Sequence, residues 1–99
     1  MDATTSDRKE PLFSLGRVVG TPGAIAALDE AEQSPQEFLD RHITGDWGLV
    51  PEEDKKENDF SVKNGLRILS SYYTSKGVKI WLITEHDRSV TTFLTPMEY

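Results

Sequence analysis

The chain has no cysteine, which excludes disulfides, thiolate catalysis and cysteine-ligated metal sites. Histidine is nearly as scarce, with only His42 and His86. Without an HExxH pattern or a calcium-loop spacing, the sequence predicts no metal site and no cofactor. Long apolar runs are missing too. The longest run of large apolar residues, Ile80-Trp81-Leu82-Ile83, is far too short to cross a membrane. The opening MDATTSDRKE is polar and lacks the apolar core of a secretory signal. These absences predict a cytoplasmic chain with no membrane partner. The glycines of GRVVGTPG come without the P-loop lysine or dinucleotide spacing, so they read as a turn and a helix start.

What remains is enough for one folded domain. The chain has 99 residues, 36% hydrophobic and 28% charged, which fits a globular protein rather than a disordered one. Residues 1–11 carry no periodicity and predict a flexible tail ahead of a single domain over 12–99. Residues 14–19 are rich in β-formers and predict a strand, with Gly16 marking a bulge or a close neighbour. Thr21 and Pro22 suit the N-cap and first position of a helix ending near Glu32. Ser34, Pro35 and Glu37 predict a capping box for a second helix, 35–44. A third helix over 51–63 begins with three acids and has only Phe60 and Val62 as large apolar residues, so it should lie on the surface.

The stretch 66–94 then alternates as strands do, with turns at TSKG and EHDRS. Residues 78–84 are apolar on both faces, which suits a central strand. The predicted class is α+β. A four-stranded, mainly antiparallel sheet is made of the N-terminal strand and a C-terminal meander, with about three helices covering one face.

Charge is distributed unevenly. Residues 29–59 hold eleven acids and three bases, a net charge of −8, whereas 66–99 hold four bases and three acids. An acidic field repels phosphate backbones and speeds encounter with basic partners. Glu52, Glu53, Asp54 and Glu57 form its densest part.

Three groups of residues carry candidate binding chemistry. Glu85, His86, Asp87 and Arg88 place acid, imidazole and guanidinium in one turn, the ingredients of acid–base work beside a cation. The plainer reading is a polar hairpin loop in which Asp87 makes an Asx-turn and pairs with Arg88. Arg41, His42, Asp46 and Trp47 cluster at a helix end, as a ligand hot spot or as a helix stop with Trp47 lying on the core. Lys79 and Trp81, with Tyr73, would form an aromatic–basic patch if the second face of the sheet is open.

The segments GRVVGTPGAIAAL, SPQEFLDRHITGDWG and KIWLITEHDRSVTTFLTPMEY resemble a family of small bacterial "plasmid-related" proteins carried on plasmids, prophages and other mobile elements. The resemblance spans residues 13–99. It implies a bacterial, cytoplasmic, mobile-element setting and brings no catalytic residues with it. The run GVKIWLITEHDRSVTTF also resembles the last hairpin of barnase-type ribonucleases, without a matching strand glutamate and arginine upstream. The expected function is therefore that of an accessory protein acting by macromolecular binding, as an acidic modulator of a basic host-defence or nucleic-acid-processing protein. An RNA-binding or RNA-cleaving domain is the alternative. The expected partner is a protein, with nucleic acid the weaker class and the chain a monomer or homodimer.

Overall fold

A computed structural model describes residues 10–99. The tail expected over 1–11 falls outside that range except for Glu10 and Pro11, which are exposed and irregular. The elements are β1 (Arg17–Gly20), α1 (Pro22–Ala31), α2 (Pro35–Ile43), α3 (Glu52–Asn64), β2 (Ile68–Tyr73), β3 (Lys79–Thr84), β4 (Val90–Leu94) and a 3₁₀ turn (Pro96–Glu98). The expected α+β class holds. The strands lie in the order β1-β4-β3-β2. β2, β3 and β4 form the antiparallel meander, and β1 pairs with β4 in parallel.

Local chemistry sets most of the boundaries. Thr21 caps α1 by accepting from the Ala24 amide at 3.3 Å. Ala24, Ala27, Leu28 and Ala31 are buried, and these small side chains let α1 lie close against β4. Phe38 and Leu39 of α2 join Tyr72, Ile80, Leu82 and Phe93 in the same core. The capping box expected at Ser34 is only half made. Ser34 accepts from the Gln36 amide, but the Glu37 carboxylate takes the Gln33 side-chain amide at 2.9 Å instead of closing the box. The first strand begins at Arg17 rather than at residue 14. Gly16 has φ +65°, and a Cβ there would lie 2.4 Å from the carbonyl oxygens of Arg88 and Ser89. The chain therefore turns at Gly16, against the β3–β4 loop, before it can pair.

α3 joins the fold through polar contacts more than apolar ones. Its buried residues are Asn58 and Ser61. The Asn58 amide donates to the Leu69 carbonyl at 2.8 Å, and its oxygen accepts the Leu69 N–H at 3.2 Å. The side chain thus stands in for a neighbouring strand. Two residues further on, Leu49 N–H donates to the Ser71 carbonyl at 2.7 Å and Ser71 N–H to the Trp47 carbonyl at 3.1 Å. All the outward-facing peptide groups of Leu69 and Ser71 are satisfied, so this edge of the sheet is closed from Leu69 to Ser71. The expected helical cover is divided accordingly: α1 and α2 fill one face, and α3 runs along β2.

Gly48 makes the closure at Ser71 possible. Its φ is +74°, and a Cβ would lie 2.0 Å from the Ser71 carbonyl oxygen. Gly48→Ala should lower the unfolding free energy by about 2–4 kcal/mol, combining left-handed strain with overpacking. Urea unfolding checks this; a midpoint equal to wild type would refute the account of the closed edge.

Candidate functional site

His42 is fully buried, and its ring is part of a chain of hydrogen bonds. Nδ1 lies 2.6 Å from Ser70 Oγ and Nε2 2.9 Å from Thr84 Oγ1. Thr84 Oγ1 lies 2.7 Å from Thr91 Oγ1, and Thr91 donates to the Leu15 carbonyl at 2.8 Å. Counting protons fixes the direction. The Leu15 oxygen can only accept, so the Thr91 proton is spent on it. Thr84 must then donate to Thr91 and accept from His42 Nε2–H. Nδ1 is left with a lone pair that takes the Ser70 hydroxyl. The imidazole is neutral, and burial pushes its pKa down to about 3. Phe13 packs edge-on to it at 5.1 Å, sealing the site from the N-terminal side. Such a histidine organises the core and offers no open position to a ligand.

The residues around His42 are also engaged within the fold. The Arg41 guanidinium bonds Asp46 at 2.7 Å and lies 4.4 Å over the Tyr72 ring. The pair draws the Asp46 carboxyl below, and the Arg41 guanidinium above, their ordinary pKa values. The Tyr72 hydroxyl donates to the Asp46 carbonyl at 2.6 Å, and burial drives its pKa upward. Trp47 is buried and donates its indole N–H to Asp59 at 3.2 Å. Of the expected hot spot, only Arg41 and Asp46 reach solvent.

The 85–88 loop divides its residues differently from the sequence reading. Arg88 sits at φ +61° and its guanidinium donates to the carbonyls of Ser61, Leu66, Glu85 and His86. It therefore ties the C-terminal end of α3, where it adds to the backbone bonds already on the Ser61 carbonyl, to the hairpin. Asp87 makes its turn with the Ser89 amide and hydroxyl, not with Arg88, and those bonds lower its pKa. His86 is exposed, and Glu85 lies 4.0 Å from Arg67. The acid, imidazole and guanidinium of this turn do not converge on one point.

Two of the expected binding surfaces remain accessible. On α3, Glu52, Glu53, Asp54 and Glu57 are exposed, and Phe60 among them is 53% exposed. On the sheet, Lys79 Nζ lies 5.5 Å from the Tyr73 ring. Trp81 is half-buried, with the Tyr99 ring edge-on at 5.5 Å, and Arg67 lies 5.6 Å over Tyr99. Phe60 and Tyr99 were not foreseen as surface features. A lone phenylalanine on a polar helix was the available signal for the first, and nothing in the sequence places Tyr99 beside Trp81. No helix of the described residues is long and apolar enough to cross a membrane, and those residues hold no cluster of metal-ligating side chains. Comparison with protein-family models, curated proteins and solved structures finds no match.

Two outcomes follow from the buried groups. The folded pKa of His42 lies below its unfolded value near 6.5, so the unfolded chain gains a proton first as pH falls. Its contribution to stability is complete above pH 6.5 and declines by up to about 1.4 kcal/mol per pH unit toward pH 3. Denaturant titrations between pH 7 and 5, where most carboxylates stay ionised, isolate this slope; a flat profile there contradicts a buried neutral ring. Arg88→Lys should cost about 1–3 kcal/mol, because one ammonium cannot serve four carbonyls. Thermal unfolding of that variant is the check.

Proposed function

We propose that this chain is a binding module whose acid-rich helical side engages a basic protein partner. The observation that carries the reading is Phe60. Its exposed ring borders a shallow depression of about 390 Å³ lined also by Glu53, Asp54, Lys56 and Glu57. An apolar contact ringed by carboxylates suits a partner that presents an apolar side chain flanked by lysine or arginine. The ring would supply affinity, and the charges would supply encounter rate and orientation. In the finer form of the proposal, the carboxylates stand where nucleic-acid phosphates would bind and occupy a basic site on a host-defence or nucleic-acid-processing protein. The resemblance to mobile-element proteins supports that setting, in the bacterial cytoplasm.

A second reading has its own observation. Tyr73, Trp81 and Tyr99 carry Lys79 and Arg67 over or beside their rings, an arrangement suited to stacking single-stranded bases. Against RNA cleavage stands the engagement of Arg88 with four carbonyls, which leaves its guanidinium unavailable to a transition state.

The test uses the intact protein as bait in its own host. A variant combining Glu53→Gln, Asp54→Asn, Glu57→Gln and Phe60→Ser should fold as wild type but lose the partner retained at low salt. Wild-type retention should fall as salt rises. Equal retention by the variant overturns the α3 reading. Transfer of the loss to a Tyr73→Ala/Lys79→Ala variant, with RNA in the eluate, would favour the second.

A further inference from the structure

The two edges of the sheet are treated differently. On β2, the outward peptide groups of Leu69 and Ser71 are all bonded, by Asn58, Trp47 and Leu49. On β1, Arg17 N–H donates to the Ser89 carbonyl at 3.0 Å and Thr21 N–H to the Phe93 carbonyl at 2.9 Å. Strand alternation therefore turns Arg17, Val19 and Thr21 toward β4, and the peptide groups of Val18 and Gly20 outward. No described residue hydrogen-bonds to those outward groups. All four residues of β1 are exposed, Val18 by 42% and Val19 by 37%. Beside them lies an apolar groove of about 200 Å³, bordered by Val18, Val19, Ile25 and Pro35. β1 is short and has Arg17 at its start, but Val18 to Gly20 contain no charge, proline or bulge to guard the edge.

We infer that β1 is a dimerisation edge and that its occupant is a second copy of this chain, paired antiparallel about a two-fold axis at Val19. The geometry selects this register. With Val19 facing Val19, Val18 lies opposite Gly20 of the second copy, and these are the residues whose peptide groups point outward. Each such pair exchanges both N–H···O bonds. The same register sets Arg17 opposite Thr21 of the second copy. Thr21 already carries the Glu98 carboxylate, bonded to its hydroxyl and to the Gly23 N–H. The Arg17 guanidinium thus meets an acid at both ends of the pairing, as an isologous interface requires. Apolar Val19 meets apolar Val19 on one face of the sheet, and on the helix-covered face Val18 meets Gly20 of the second copy beside Ile25 and Pro35. The two sheets join into one continuous sheet.

Sedimentation equilibrium of the full chain over a wide concentration range tests this. The expected result is a reversible shift from 11.1 kDa to twice that mass. Val18→Pro removes an outward N–H while sparing every bond to β4, so it should weaken dimerisation at least tenfold with unchanged circular dichroism. If that variant fails to fold, Val19→Asp places like charges across the two-fold axis and should do the same. A wild-type chain that stays monomeric at all concentrations overturns the proposal. A dimer that survives a folded Val18→Pro or Val19→Asp overturns the assignment to β1.

Discussion

The fold depends on a directed line of hydrogen bonds through its centre: Ser70 to His42, His42 to Thr84, Thr84 to Thr91, Thr91 to Leu15. Each member comes from a different part of the chain. α2 supplies the imidazole, the three strands of the meander supply one hydroxyl each, and the segment before β1 supplies the terminal carbonyl. None of these buried polar side chains lacks a partner. In a low-dielectric interior a satisfied network of this kind specifies one arrangement, because any shift leaves a buried donor or acceptor unpaired. The helix, sheet and N-terminal crossing are fixed relative to one another by this one constraint.

Arg88 and Asn58 extend the same logic to the periphery. α3 has too few apolar residues to be held by burial alone. Asn58 attaches it to the edge of β2, and Arg88 gathers the carbonyls at its C-terminal end. Polar groups that read as chemistry in the sequence are therefore spent on holding a polar helix. Its solvent side stays free to be acidic, and Phe60 can stand exposed within it.

The same economy explains the asymmetry of the sheet. One edge is closed from Leu69 to Ser71 by α3 and by the loop through Gly48, while the other presents bare peptide groups and two valines. A small sheet with one open edge has a defined direction in which it can be extended. The acid-rich helix α3 packs along β2, at the opposite edge of the sheet from β1.

Much of the fold could be read directly. Thr21, Pro22, Ser34 and Pro35 announced two helices, and the alternation in 66–94 announced the meander, because caps and period-2 patterns are local in sequence. The closed edge was not legible. It depends on Asn58 and Gly48 reaching residues on a different element, and no local pattern records such contacts. The engagement of the residues around His42 and of Arg88 within the fold was illegible for the same reason. Residue type alone marks Arg41, His42, Asp46, Trp47 and Arg88 as chemically capable. Only tertiary structure decided that His42 is enclosed by hydroxyls, that Trp47 is buried and that Arg88 faces carbonyls. By itself the sequence determined the elements, the acidic middle and the absence of thiol chemistry. Packing determined which polar groups are consumed within the core and which still face solvent, because burial is a property of the assembled chain and not of its residues taken in order.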